Sequence, residues 1–151
     1  MIAVDTNILV YAHRVDSPFH EEALTSINGL AESQASWSIP WPCIQEFFAI
    51  VTHQRIYSPP TPITVATEAI DAWLNAPNLV LLAEADTHWD HLSQLIKTRK
   101  ISGPQIHDAK IAAICLSHRV SSLWTADRDF SRFPELKCHN PLHQTTKTRK
   151  R

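Results

Sequence analysis

Short apolar runs alternate along this chain with segments of helical periodicity, and this alternation constrains its fold more than any other feature. Five runs are candidate strands, at 2–4, 37–39, 79–82, 122–125 and 136–138. The run at 79–82 is uninterrupted, which is typical of a buried parallel strand. Strands that alternate with helices predict an α/β domain with a mostly parallel central sheet of about five strands, covered by helices on both faces.

Helices are predicted between these runs, where apolar residues recur three and four positions apart. Ser17 and Pro18 resemble an N-cap followed by a first-turn proline. Thr87 with Asp90 resembles a capping pair for a helix in which we expect Trp89 to face the core. The approximate helices are 8–12, 18–31, 43–53, 62–74, 88–96, 108–118 and a short one within 127–133. The helix at 108–118 is apolar nearly all round, which predicts its burial.

Composition excludes several classes of site. Gly29 and Gly103 are the only glycines, whereas P-loops and dinucleotide-binding turns need several glycines close together. Three widely spaced cysteines without a C-x-x-C pair argue against a zinc cage and a disulfide framework. The longest apolar run, Ile111–Leu116, is far shorter than the roughly 20 residues that span a bilayer. We therefore expect a cytoplasmic protein without a membrane segment.

Charge is distributed unevenly along the chain. The 14 basic and 15 acidic residues nearly balance, but four of the basic residues lie between Lys147 and Arg151. We predict one domain over 1–143 and a basic, disordered tail over 144–151. Because the rest of the chain is acidic, any binding of nucleic acid must use local basic groups, the tail or metal ions.

Four carboxylates lie beside apolar sequence, where an unpaired charge is costly. Asp5 ends the first strand, and Glu46 is the only formal charge between positions 42 and 54. Asp108 begins the most apolar helix. Asp127 follows the fourth strand, with Asp129 two residues further on. Glu46 shares a helical face with apolar residues, so we expect it to be at least partly buried.

Each acid also has an ordinary structural interpretation. Asp5 and Asp108 suit the start of a helix, where an acid caps the helix or complements its dipole. Asp127 and Asp129 suit a turn, and Glu46 by itself suits a helix surface. These interpretations weaken when the acids are taken together, because the ends of parallel strands meet at one edge of a sheet. Converging carboxylates repel each other unless a cation joins them, and oxygen ligands select Mg²⁺ or Mn²⁺ rather than zinc.

Four segments that contain these acids resemble the acidic motifs of the PIN domain, in the order and spacing of its VapC branch. The segments are DTNILVYAHR at 5–14, PCIQEFFAIVT at 42–52, IHDAKIAAI at 106–114 and LWTADRDFSRFP at 123–134. The resemblance extends from Met1 to about Leu142 and implies a single PIN-like domain.

The resemblance also implies roles for individual residues. The catalytic acids, which would hold one or two Mg²⁺ or Mn²⁺ ions, are Asp5, Glu46, Asp108 and Asp127, with Asp5 and Asp108 as direct ligands. Asp129 is either a fifth acid or a cap of the short helix that follows it. Three polar residues would orient the acids or bound water, or only form turns and caps: Thr6, Asn7 and Thr125. Four basic residues are candidate contacts to RNA phosphate: Arg14, Lys110, Arg128 and Arg132.

The function that the resemblance implies is that of a metal-dependent endoribonuclease, the toxin of a VapBC toxin–antitoxin pair, which hydrolyses structured RNA with metal-activated water. It further implies a homodimer, joined mainly by helices of the first half, and a VapB antitoxin that blocks the site. A non-catalytic partner-binding or co-repressor protein and a housekeeping PIN-domain nuclease remain open. A phosphatase with an aspartate nucleophile is disfavoured, because Asn7 stands where it needs a second Asp.

Overall fold

The structure, a computed structural model, describes residues 1–142. The predicted domain end at 143 and the predicted tail at 144–151 lie outside the described residues. The main elements, in chain order, are β1 (Ile2–Val4), α1 (Thr6–His13), α2 (His20–Glu32), β2 (Trp37–Pro40), α3 (Trp41–Val51), α4 (Ile63–Leu74), β3 (Leu79–Leu82), α5 (His88–Arg99), α6 (Ile106–Ser117), β4 (Ser122–Trp124) and β5 (Cys138–His139). Short 3₁₀ helices lie at Gly103–Gln105 and Arg128–Arg132.

The five strands form one parallel sheet in the order β3-β2-β1-β4-β5. This arrangement confirms the predicted α/β fold. The chain runs outward from β1 to β3 and then returns to β4, on the other side of β1. Because such crossovers are right-handed, α1 to α4 cover one face of the sheet and α5 and α6 cover the other. The strand order reverses between β1 and β4, and α/β folds bind their ligands beyond the carboxyl ends of the strands at such a point.

Helix α6 lies in the core, as its composition predicts. Its buried residues are Ala109, Ile111, Ala112, Ala113, Ile114 and Cys115. They cover most of the helix circumference. The alanines lack bulky side chains and so allow α6 to pack closely against its neighbours, α5 and the sheet. Its first turn, with Asp108, is thereby fixed relative to the end of the sheet.

Two predictions about burial are wrong. The uninterrupted run of β3 lies at the edge of the sheet rather than inside it, so only Leu82 is buried and Val80 is 41% exposed. Trp89 is 66% exposed. It lies in the first turn of α5, while Leu92 and Leu95 supply the face that packs inward. In both cases a run of apolar residues does not reveal which neighbours cover it.

Two predicted helix starts also differ from the structure. Helix α2 begins at His20, because the Ser17 hydroxyl accepts a hydrogen bond from the Phe19 amide (3.1 Å) and closes a turn before the helix. Thr87 does precede α5, but its side chain does not cap the helix. Within residues 1–142, every helix is too short or too polar to cross a membrane.

Candidate active site

Asp5 lies where β1 passes into α1, and only 4% of it is exposed. One carboxylate oxygen, Oδ1, accepts a hydrogen bond from the Thr6 amide (2.8 Å) and so caps α1. The other, Oδ2, accepts hydrogen bonds from the Thr125 hydroxyl (2.8 Å) and the Asn7 side-chain amide (3.2 Å). The capping interpretation of Asp5 is therefore correct, and it coexists with a position at the carboxyl end of the sheet.

Asn7 and Thr125 join the ends of β1 and β4. Asn7 Oδ1 accepts a hydrogen bond from the Ala126 amide (3.0 Å), and its side-chain nitrogen lies 3.2 Å from Thr125 Oγ1. Thr125 Oγ1 in turn accepts a hydrogen bond from the Asp127 amide (3.0 Å). These bonds hold the backbone that carries Asp127 against the start of α1.

Three carboxylates form a cluster beside this junction. One oxygen each of Asp108, Asp127 and Asp129 lies within 4.8 Å of the other two. Asp108 is the third residue of α6, so it lies in the first turn and does not occupy the N-cap position. Asp127, not Asp129, caps the short helix at Arg128–Arg132, because its Oδ1 accepts a hydrogen bond from the Asp129 amide (2.8 Å). Asp129 is thereby left to join the other acids.

A cleft of about 370 Å³ contains most of the predicted acids. Asp5, Glu46, Asp108 and Asp127 line it. Glu46 lies on the exposed side of α3 rather than in its buried stripe, although its hydrogen bond is partly shielded from solvent. The buried stripe of α3 is Cys43, Ile44, Phe47 and Val51. Glu46 lies at the border of this stripe, where its Oε2 accepts a hydrogen bond from the Thr6 hydroxyl (3.1 Å).

The electrostatics of the cleft oppose the ionisation of two of its acids. The pKa of Asp5 is raised from 3.8 to about 6, mainly because the group is buried; the charge of Glu46 contributes to the rise, and the hydrogen bonds from Thr125 and Thr6 oppose it. Burial also raises the pKa of Asp108, with contributions from Asp127, Asp129 and Glu46. A shift in this direction means that each of these carboxylates lacks sufficient positive charge nearby.

Cys43 lies directly beneath Asp5, with its sulfur 3.6 Å from Asp5 Oδ1. Burial raises the pKa of this thiol well above its usual range, and the charge of Asp5 adds to the effect. A protonated, buried thiol is a weak hydrogen-bond donor and a poor nucleophile. Cys43 therefore supports Asp5 and does not act as a nucleophile.

The four predicted RNA contacts are placed very differently. The Arg14 guanidinium pairs with Asp16, donates to the Pro59 carbonyl oxygen (3.1 Å) and lies 4.2 Å from the centre of the Tyr57 ring. It therefore holds a loop and does not line the acidic cleft. The other three lie around the cleft. Lys110 and Arg128 line cavities that adjoin it, and Arg132 lowers the pKa of Asp108.

Tyr11 also lines the cleft and was not predicted from the sequence. It lies four residues after Asn7 on α1, so the two side chains share one face of the helix. This four-residue spacing from Asn7 could have predicted that Tyr11 faces the cleft. Its aromatic ring adds a partly apolar surface to a cleft that four carboxylates line.

Comparison with known proteins agrees with this geometry. The model of the PIN domain family matches residues 2–136. A VapC ribonuclease of Mycobacterium bovis is 35% identical over 146 residues, which cover 97% of this chain and 99% of the relative. Ribonuclease VapC48 of Mycobacterium tuberculosis is 27% identical over 91% of this chain and 95% of its own length.

Solved structures share the fold at lower sequence identity. The VapBC2 complex of Rickettsia felis, bound to a DNA fragment from its promoter, contains a chain that matches with a TM-score of 0.67 and 21% identity, over 93% of this chain and 98% of that one. The VapC20 toxin of Mycobacterium tuberculosis, which cleaves the sarcin–ricin loop, matches with a TM-score of 0.62 and 14% identity, over 87% and 93% of the two chains. The acids, the topology and the near-complete match to VapC relatives agree, and this chain belongs to the PIN domain family, in its VapC branch.

Proposed function

We propose that this chain is a metal-dependent endoribonuclease and the toxin of a VapBC-type pair. The observation that carries the proposal is the convergence of five carboxylates, from four separate segments, on the carboxyl end of a parallel sheet. The VapC relatives that cover nearly the whole chain are ribonucleases by name, which supports RNA as the substrate.

The residues present fit a hard divalent cation. The donors are carboxylate oxygens, and those of Asp108, Asp127 and Asp129 are close enough to share one ion. The raised pKa values of Asp5 and Asp108 indicate negative charge that the protein itself does not compensate. Oxygen donors of this kind favour Mg²⁺ or Mn²⁺. We assign Asp108, Asp127 and Asp129 to hold the ion. The roles of Asp5 and Glu46 as further ligands stay predictions, and both residues line the same cleft.

The protein's own contribution to hydrolysis is the placement of charge. A bound divalent cation lowers the pKa of water and stabilises negative charge on an attacked phosphate. Thr125 and Asn7 fix the orientation of Asp5, and Thr6 fixes that of Glu46, so these carboxylates do not need to reorganise during the reaction. Burial raises the pKa of Asp5 to about 6 without a cation, and a cation bound nearby would favour its ionised form.

The partners follow from the same proposal. Several solved relatives are complexes of a VapC toxin with its antitoxin, such as the VapBC-1 complex of nontypeable Haemophilus influenzae. In this chain, large apolar side chains are exposed on and between α1 and α4, among them Val15, Phe19, Ile56 and Ile63. We assign this surface to a homodimer contact and the acidic cleft to a VapB-type antitoxin that blocks it, and we place the protein in the cytoplasm, where RNA is available.

The proposal is tested by cleavage and by toxicity. Purified protein should cleave cellular RNA only when Mg²⁺ or Mn²⁺ is present, and expression without a partner should arrest growth. Asp108→Ala should abolish both effects. Asp90→Ala, which removes an exposed acid from the first turn of α5, is the matched control and should behave as wild type.

Three results would contradict all or part of the proposal. A folded Asp108→Ala variant that still cleaves RNA would show that the acidic cleft is not the active site. Wild-type protein that binds an antitoxin but neither cleaves RNA nor arrests growth would favour a non-catalytic co-repressor. Cleavage without toxicity would favour a housekeeping nuclease.

A further inference from the structure

The acidic cleft is the middle one of three adjoining cavities. A cavity of about 460 Å³ beside β5 shares Ala126 and Asp127 with it. A second cavity of about 460 Å³ lies between α3 and α6 and shares Glu46 and Ile111 with it. Because they share lining residues, the three cavities lie side by side; we call them together the groove, and the carboxylates line its middle cavity.

The β5 cavity has the chemistry of a base-binding site. Arg128, His139 and Asn140 line its polar part, and the buried Phe130 lines its apolar part. The ring of His139 lies 5.9 Å from that of Trp124, in an edge-to-face arrangement that limits its orientations. Imidazole and guanidinium planes stack on unpaired bases, and a side-chain amide forms hydrogen bonds with base edges.

The α3–α6 cavity has the chemistry of a phosphate site. Lys110 is half-buried on α6, and His107 and Gln45 lie in the same cavity. Within residues 1–142, neither Lys110 nor Arg128 forms a salt bridge. A cation without a carboxylate partner, beside a cluster of acids, is suited to an anion that the acids alone would repel.

We infer that a single RNA strand crosses the acidic cleft, with one base in the β5 cavity and a flanking phosphate on Lys110. This inference rests on the proposed function and assigns the residues that position and read the RNA strand on the two sides of the cut. Phosphate contacts position a strand without reading its sequence, whereas base contacts read it. His139 and Asn140 are therefore the specificity-determining residues, and Lys110 is a positioning residue.

Substitutions at the two ends of the groove should cause different defects in RNA cleavage. With a pool of random-sequence ten-nucleotide RNAs, His139→Ala and Asn140→Ala should change the base preference at one position relative to the cut by about tenfold. Lys110→Ala should slow cleavage of all sequences alike and reduce the slope of log KM against log salt by about 0.7. Lys110→Arg should restore the slope. Lys97→Ala and His53→Ala, at exposed positions outside the three cavities, are the controls.

Binding of the same RNA, measured by fluorescence anisotropy with a parallel melting curve for each variant, distinguishes this inference from the proposed function. If all three variants cut RNA with unchanged base preference and salt slope, the inferred RNA path would be wrong. The proposal that the protein is a nuclease would still hold. If RNA binds through Lys110 and His139 but is never cut, the inferred RNA path would be supported and the proposed nuclease activity would be wrong. RNA that is neither bound nor cut would overturn both.

Discussion

At the scale of single residues, Asp5 combines two opposing environments. Four donors lie against its carboxylate, yet its burial raises its pKa to about 6. A carboxylic acid with a higher pKa in the folded than in the unfolded state stabilises the fold at low pH. This stability is lost as the pH rises through the folded-state value. The position of Asp5 therefore costs stability at neutral pH unless a cation is bound.

Asp5→Asn should reveal this cost. The rise in pKa from 3.8 to about 6 corresponds to about 3 kcal/mol. Without divalent cations, the free energy of unfolding of wild type should fall relative to that of Asp5→Asn by up to this amount between pH 4 and pH 7.5. Urea unfolding across that range measures it, and RNA cleavage should be lost in the variant.

The control for this measurement is Asp71→Asn, which neutralises an exposed acid on α4. Its stability difference from wild type should change little with pH. If Asp5→Asn showed the same constant difference, the argument that burial opposes the ionisation of Asp5 would be wrong.

Thr125→Val should act through Asp5. The variant removes the hydroxyl that donates to Asp5 Oδ2 (2.8 Å), a bond that lowers the pKa of this carboxyl. The acid limb of the pH–rate profile should move to higher pH, and stability should fall by about 1–2 kcal/mol. Thr98→Val is the matched control, because that hydroxyl donates only within α5 on the surface. If the acid limb did not shift, Thr125 would have no effect on the ionisation of Asp5.

At the scale of elements, Arg14, which directly follows α1, holds the loop between α3 and α4 in place. Arg14 donates to the Pro59 carbonyl oxygen and the Thr61 hydroxyl (3.2 Å). Its guanidinium also pairs with Asp16 and lies over the Tyr57 ring. The resemblance implied a contact to RNA, but these partners already occupy the hydrogen-bonding groups of Arg14.

Arg14→Ala should therefore affect stability more than activity. We expect a loss of roughly 1–2 kcal/mol in the free energy of unfolding, with cleavage per folded molecule within about twofold of wild type. The exposed Arg55 lies in the same loop region, and Arg55→Ala is the control. Unchanged stability together with strongly reduced cleavage would instead assign Arg14 to RNA binding.

At the scale of the whole molecule, a divalent cation should stabilise the fold through the clustered acids in α6 and in the segment that follows β4. At a hundred times the dissociation constant of the ion, the gain is about 2.7 kcal/mol. Wild type should melt roughly 5–10 °C higher in Mg²⁺ or Mn²⁺. Asp108→Asn/Asp127→Asn should show no such gain, because it removes two of the three clustered carboxylates.

The double variant Glu68→Gln/Asp71→Asn is the control for this melting experiment. It removes the same number of charges from the exposed surface of α4 and should keep the full shift. Equal shifts in all three proteins would place the ions elsewhere on the molecule.

Local sequence determined the architecture of this protein. Short apolar runs identify four strands closely, and the run at 136–138 overlaps β5 at Cys138. The alternation of strands and helices predicts their parallel sheet. Asp5 and Asp127 were predictable as neighbours, because each follows a strand and parallel strands end at the same edge. The capping position of Asp5 was also predictable, since a cap depends only on adjacent backbone.

Only the tertiary structure decided which groups meet away from the strand ends. The position of β3 at the sheet edge, the exposure of Glu46 and the engagement of Arg14 all depend on partners distant in sequence. Asp129 joins Asp108 because Asp127 takes the capping position of the short helix. The physical reason is that periodicity reports the face on which a side chain lies, whereas burial and charge depend on what the rest of the chain packs against that face.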